Sequence, residues 1–117
     1  MSVSHGVIPG LIPAGGVGAR AQDVNKAEPR PLPKQYRSIH GKAMLVHAVQ
    51  ALLADERIAD VVVGVQSDDQ LAAMHVGDVD RVKVLPSAGS TRAQTVLQTL
   101  RGSPFESHDW VLVHDAA

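Results

Sequence analysis

Apolar runs alternate with amphipathic stretches along the 117 residues. Residues 7–12 are mostly apolar and lead into Gly15, Gly16 and Gly18, the pattern of a strand entering a tight loop. Pro9 donates no ladder bond and Gly10 has no side chain to pack, so the strand is expected to start only at Leu11. Residues 21–33 carry Pro29, Pro31 and Pro33 among polar and charged residues, a composition for a mobile loop. Leu45, Val49, Leu52 and Leu53 share one face of a helix predicted over 43–54. The β-branched run 60–65 reads as a strand covered on both sides. A short helix is predicted over 68–74 and a short strand over 82–85. Ser90 is expected to cap a helix over 91–101 that turns Val96, Leu97 and Leu100 inward. A last strand, 110–113, ends at His114 and Asp115, with Trp110 and Phe105 expected in the core. Strands alternating with helices imply βαβ units, hence an α/β fold with a mostly parallel sheet and helices on both faces.

Composition narrows the class. With 44% apolar and 20% charged residues, the chain suits one small domain that buries roughly two-thirds of its unfolded surface. The absence of cysteine excludes a disulfide scaffold and a thiolate zinc site. No apolar run approaches the roughly 20 residues that span a bilayer, and the first residues lack the basic flank and apolar core of a signal peptide. The expectation is a soluble cytoplasmic protein with no membrane partner. A net charge of -1 argues against a nucleic-acid partner, so any anion site must be local.

Ligands of such sheets sit beyond the carboxyl ends of the strands, and polar clusters fall at three of those ends. Pro13-Ala14-Gly15-Gly16-Val17-Gly18-Ala19-Arg20 combines small residues, which let backbone N–H groups approach a phosphate, with an arginine for its oxygens. It lacks the Gly-Lys-Ser/Thr of a Walker loop, and taken alone it is equally a plain strand-to-helix turn. Gly89-Ser90-Thr91-Arg92-Ala93-Gln94-Thr95 is a glycine turn with a cap, and Arg92 and Thr95 fall on the first helical turn, where they can face a ligand. Asp115, at the last strand's end, could hold Mg²⁺ or cap the next loop. Between these clusters, Pro33-Lys34-Gln35-Tyr36 adds a lysine to a patch with Arg20, Lys26, Arg30 and Arg37, suited to a polyphosphate. The six histidines show no metal-ligand spacing, and a G-x-S-x-G elbow is absent.

In order and spacing, Pro13–Arg20, Pro33–Tyr36, Gly89–Arg92 with Thr95-Val96, and Trp110-Val-Leu-Val-His-Asp-Ala-Ala117 together resemble the amino-terminal half of the 2-C-methyl-D-erythritol 4-phosphate cytidylyltransferases. The resemblance implies a Rossmann-like fold of nucleotidyltransferase type, with residues 1–117 as the amino-terminal, nucleotide-binding part of one domain and the fold incomplete within them. It implies transfer of CMP from CTP to the methylerythritol phosphate, with Mg²⁺ and release of pyrophosphate. The partners are then CTP and a sugar-alcohol phosphate, and the complete enzyme is a homodimer. Arg20 and Lys34 are the implied catalytic residues. Pro13, Ala14, Gly15, Gly16, Gly18, Gly89, Ser90, Arg92 and Thr95 are the implied nucleotide site, and Asp115 the metal ligand.

The chain departs from the family's pattern in four places. Gly15 stands where a second alanine is common, a choice nearer to ribitol 5-phosphate cytidylyltransferases, whereas His114-Asp-Ala-Ala117 leans back to the methylerythritol enzymes. Thr95 replaces a usual serine and keeps the hydroxyl. The loop over 21–32 is longer than is typical. The chain also stops at Ala117, before an expected Arg-Pro and before the half that supplies the acceptor pocket. Two alternatives follow: a ribitol 5-phosphate cytidylyltransferase, or a fragment that binds nucleotide without turnover.

Overall fold

The computed structural model describes residues 8–15, 33–103, 105 and 110–116. Four strands form one parallel sheet: β1 (Ile8–Pro13), β4 (Ile58–Gly64), β5 (Val82–Leu85) and β6 (Leu112–Val113), in the order β5-β4-β1-β6. The first three strands step outward to one side of β1, and β6 then pairs on its other side. That reversal places a topological switch point between β1 and β6, where α/β sheets open a crevice at their carboxyl ends. A two-stranded hairpin, β2 (Ser38–Ile39) with β3 (Lys42–Ala43), projects from the connection after β1. Its two turn residues, His40 and Gly41, both have positive φ, 53° and 80°, as the primed turns of tight hairpins require.

Helix α1 (Met44–Leu53) buries Leu45, Ala48, Val49 and Leu52. With Ile12, Val61 and Val63 of the sheet, and Ala72 and Val76 of α2 (Leu71–Val76), they form one apolar cluster. Each large side chain there contributes roughly 1.5–3 kcal/mol through burial. The spacing of apolar residues predicted this helix and three of its four inward positions, while Leu53 is only half-buried.

Strand β1 starts earlier than Pro9 and Gly10 suggested. The register slips between Ile8, opposite Ile58, and Gly10, opposite Val61, so the missing Pro9 N–H falls at an irregularity in the ladder. Arg81 covers that irregularity by donating its Nη1 to the Ile58 and Ala59 carbonyls at 3.4 and 3.1 Å. Gly10 lets Leu52 of α1 lie directly over the strand.

Helix α3 (Arg92–Arg101) corrects the expected inward face. It buries Thr95 and Thr99, not Leu97, which is exposed, and Val96 and Leu100 are half-buried. The approach to the sheet is too close for leucine: a Cβ on Gly64 would stand 2.2 Å from Thr99 Oγ1. The Thr99 hydroxyl is satisfied by Ser87 Oγ at 2.6 Å. Thr91, not Ser90, caps this helix, accepting from the Gln94 N–H at 3.1 Å, while Gln94 Oε1 accepts from the Ser90 N–H at 2.9 Å. This is a close variant of the Thr-x-x-Gln capping box. Helix α2 likewise starts after its expected position, because the Asp69 carboxylate accepts from the N–H groups of Leu71 and Ala72 and fixes the turn there. Strand β6 is shorter than expected. Trp110 lies outside it at 84% exposure rather than in the core, and Phe105 is half-buried.

Candidate nucleotide site at the strand ends

At the carboxyl end of β1 the last ladder bond runs from the Ala14 N–H to Gly64 O, 2.8 Å. The chain then leaves the sheet, and side chains from two other connections take over its carbonyls. Gln35 Nε2 donates to Ala14 O at 3.0 Å, and Gln66 Nε2 donates to Gly15 O at 2.7 Å. The first bond docks the Pro33–Tyr36 turn against the end of β1 and so brings Lys34 beside it. Lys34 itself is exposed, while Gln35 and Tyr36 are buried.

Tyr36 anchors this turn from below. Its hydroxyl donates to the Asp69 carboxylate, and its ring stacks on His75 with centroids 5.8 Å apart and planes 17° apart. Burial, followed by the bond to Asp69 and its negative charge, holds the phenol far above its usual range. Tyr36 is therefore a neutral donor at physiological pH.

The second cluster meets β1 directly. A Cβ on Gly15 would stand 2.4 Å from Ala88 Cβ and 3.1 Å from Thr95 Oγ1, so only glycine lets the two connections touch. Thr95 is 2% exposed, and its Oγ1 accepts from the Gly89 N–H at 3.0 Å, fixing the turn into α3. Ser90 is exposed and donates its hydroxyl to Gln94 Oε1 at 2.6 Å.

The third cluster joins from β6. Arg92 Nε donates to Asp115 Oδ1 at 2.8 Å, linking the first turn of α3 to the end of the last strand. Both side chains are exposed, so the pair adds little stability and its meaning is geometric. The His114 N–H donates to Leu11 O at 3.0 Å, which carries the β1–β6 ladder to the rim of the crevice.

Pro13, Ala14, Gly15, Gly89, Ser90, Arg92, Thr95 and Asp115 thus gather at one end of the sheet, with Lys34 beside them. Gly16, Gly18 and Arg20, together with the expected loop over 21–32, lie outside the described residues. Four residues important to this geometry were not singled out in the sequence: Gln66, Asp69, Ala88 and, as an anchor, Gln35. A glutamine just past a buried strand was the available signal for Gln66. The others needed the long-range packing.

Among the described residues, the exposed Asp115 is the hard oxygen ligand the sequence singled out at this end of the sheet. Among the described residues no group of three His, Cys, Asp or Glu side chains could hold a metal ion. A single carboxylate still suits Mg²⁺, which typically takes one or two protein carboxylates and completes its shell with water and substrate phosphates. Among the described residues, no helix is long and apolar enough to cross a membrane.

The family model described as 2-C-methyl-D-erythritol 4-phosphate cytidylyltransferase matches residues 8–117. Enzymes of that name from Bordetella pertussis and Vibrio vulnificus are 44% and 42% identical to the chain over 107 and 113 residues. Those alignments cover 92% of this chain and 46% and 43% of the relatives. A crystal structure of 4-diphosphocytidyl-2C-methyl-D-erythritol synthase superposes with a TM-score of 0.71 at 30% identity, covering 99% of this chain and 48% of the other. The chain spans about half the length of the curated relatives it matches.

Proposed function

The chain belongs to the 2-C-methyl-D-erythritol 4-phosphate cytidylyltransferase family, and from that premise we propose that it carries the nucleotide-binding part of a CTP-dependent cytidylyltransferase. The reaction is transfer of CMP from CTP to 2-C-methyl-D-erythritol 4-phosphate. An oxygen of the acceptor phosphate attacks the α-phosphorus of CTP, a new P–O bond forms, the bond to the β-phosphate oxygen breaks, and pyrophosphate leaves. The observation that carries this reading is the meeting of the end of β1, the Pro33–Tyr36 turn, the 88–95 connection and Asp115 at the sheet's switch point.

The described groups take their proposed roles from where they lie, and Gly16, Gly18 and Arg20 take theirs from the family resemblance. Residues 13–15, with Gly16 and Gly18 beyond them, present a backbone free of bulky side chains to the nucleotide phosphates. Lys34, held beside the end of β1 by the buried Gln35 and Tyr36, stabilises negative charge growing on the α-phosphate, and the family resemblance gives Arg20 the same role. Such catalysis is mainly positioning and charge stabilisation, so fixed cations matter more than a general base. Gly89, Ser90 and Thr95 form the turn against cytosine and ribose, and Thr95 keeps it rigid through Gly89. Asp115 would hold Mg²⁺, which would supply positive charge to offset that of the nucleotide phosphates. Arg92 orients Asp115 through its bond to Oδ1.

Ribitol 5-phosphate as acceptor rested on Gly15. Contact with Ala88 gives Gly15 a packing reason independent of the acceptor, and the matching relatives carry the methylerythritol name. The complete enzyme is proposed to be a cytoplasmic homodimer without nucleic-acid or membrane partners. Steady-state pyrophosphate release by the intact protein, with Lys34→Ala and Arg20→Ala, tests the mechanism. A fall in kcat of at least about 100-fold with a smaller change in KM for CTP is expected. Unchanged kcat in either variant contradicts it.

A further inference from the structure

Gln66 lies two residues beyond β4 in the connection to α2, outside every cluster that the chemistry singled out. Its side chain crosses to the neighbouring connection and donates to Gly15 O at 2.7 Å, the shorter of the two amide bonds at the end of β1. The reach is fixed at both ends. The preceding Val65 is 2% exposed, and its N–H is tied to Leu85 O at 2.9 Å. The Gln66 carbonyl accepts from the Asp69 N–H at 3.0 Å, and Asp69 in turn holds Tyr36 and the start of α2. On the other side, Gly15 rests against Ala88 with no room for a Cβ. The Ala14 carbonyl is held by Gln35. A trans peptide points its C=O and N–H in opposite directions, so fixing consecutive carbonyls also fixes the direction of the N–H groups on the opposite edge.

We propose that Gln66 is a positioning residue for nucleotide binding: its amide holds the Gly15 carbonyl so that the first peptides beyond β1 keep their N–H edge toward the phosphates. This rests on the nucleotide-binding reading above and deepens it. Gln66 touches no phosphate and acts through Gly15. It therefore sets the affinity for the nucleotide and leaves the charge stabilisation by Lys34 untouched. The donor is what matters, because a side chain of the same length without an N–H leaves the carbonyl free to turn.

The test is Gln66→Met, which keeps length and removes the donor, beside Gln66→Asn, which keeps the amide and is one methylene too short. In the intact protein both variants are expected to raise KM for CTP roughly tenfold, the scale of one amide hydrogen bond, with kcat within about twofold of the parent. Melting temperatures within about 2 °C show that the fold is retained. A second measurement needs no nucleotide: exchange of the Ala14 and Gly15 amide hydrogens is expected to be about fivefold faster in Gln66→Met, with α1 unchanged. Unchanged KM in a folded variant, a fall in kcat without a rise in KM, or unchanged exchange overturns the proposal. If the parent protein neither binds nor turns over CTP, the functional reading fails, and the exchange measurement still decides whether Gln66 holds this peptide.

Discussion

The two faces of the sheet are packed by different chemistry. On the α1 face, leucines and valines meet Ile12, Val61 and Val63 in an ordinary apolar core. On the α3 face, where strand alternation also places the buried Leu11 and Val62, the close contacts are made by Thr95, Thr99, Ser87 and Gly64, with hydroxyls bonded to one another or to a backbone N–H. The apolar face needs only volume and spacing. The hydroxyl face lets α3 approach so closely that its first turn stands at the end of β1, where Gly15, Thr95 and Ala88 meet. The first arrangement supplies stability, and the second positions the site.

Substitutions on the two faces separate these roles. Leu45 of α1 is fully buried, so Leu45→Ala is expected to cost about 2–5 kcal/mol in chemical denaturation and leave KM for CTP of the folded fraction unchanged. A large change in KM would mean that the α1 face also shapes the site. Tyr36→Phe removes the bond to Asp69 and is expected to cost about 1.5–3 kcal/mol. It also carries a pH signature. The folded phenol is held above its unfolded value of 10.0, so its contribution is complete below about pH 10 and is lost as pH rises toward the folded value. Unfolding free energy should therefore fall above pH 10 in the parent, and the part due to this phenol should be missing in Tyr36→Phe; identical alkaline slopes would contradict the shift.

Gly15→Ala forces a methyl into Ala88 and is expected to cost about 1–3 kcal/mol and to weaken CTP binding. Ala88→Gly added to it should restore most of both, a coupling that a double-mutant cycle measures directly. Additive losses would show that the two residues do not meet. The smallest effect belongs to Thr99→Val, which keeps the shape and removes the partner of Ser87, at about 1 kcal/mol of stability.

This contrast also explains what the sequence revealed. Helix α1 was legible because Leu45, Val49 and Leu52 recur at helical spacing and spacing decides such a face. The same rule applied to α3 selected Leu97, which is exposed, because a Gly64 more than thirty residues away admits threonines and not leucines. Pro9 and Gly10 argued against a strand by local rules, and the register slip and the contact with Leu52 overrode them. Trp110 was expected in the core on composition, yet it lies with Ile8, Arg57, Ile58 and Leu112 along an open cleft of about 210 Å³ at the amino-terminal ends of the strands.

The candidate site was legible as clusters because small and charged residues stood at predicted strand ends. That they could converge on one crevice followed from the strand ends, but the contacts that join them did not, because they link distant connections: Gln35 with Ala14, Gln66 with Gly15, Arg92 with Asp115. Local sequence rules place residues on elements, and these bonds place the elements on each other.

The most direct measurement is pyrophosphate release by the intact protein from CTP and Mg²⁺, with 2-C-methyl-D-erythritol 4-phosphate in one sample and ribitol 5-phosphate in another. Release with the methylerythritol phosphate, accompanied by its cytidylylated product, and at least about tenfold slower release with the ribitol phosphate, is the expected result. Equal or faster release with ribitol 5-phosphate, or no release with either from folded protein, would contradict the proposed activity.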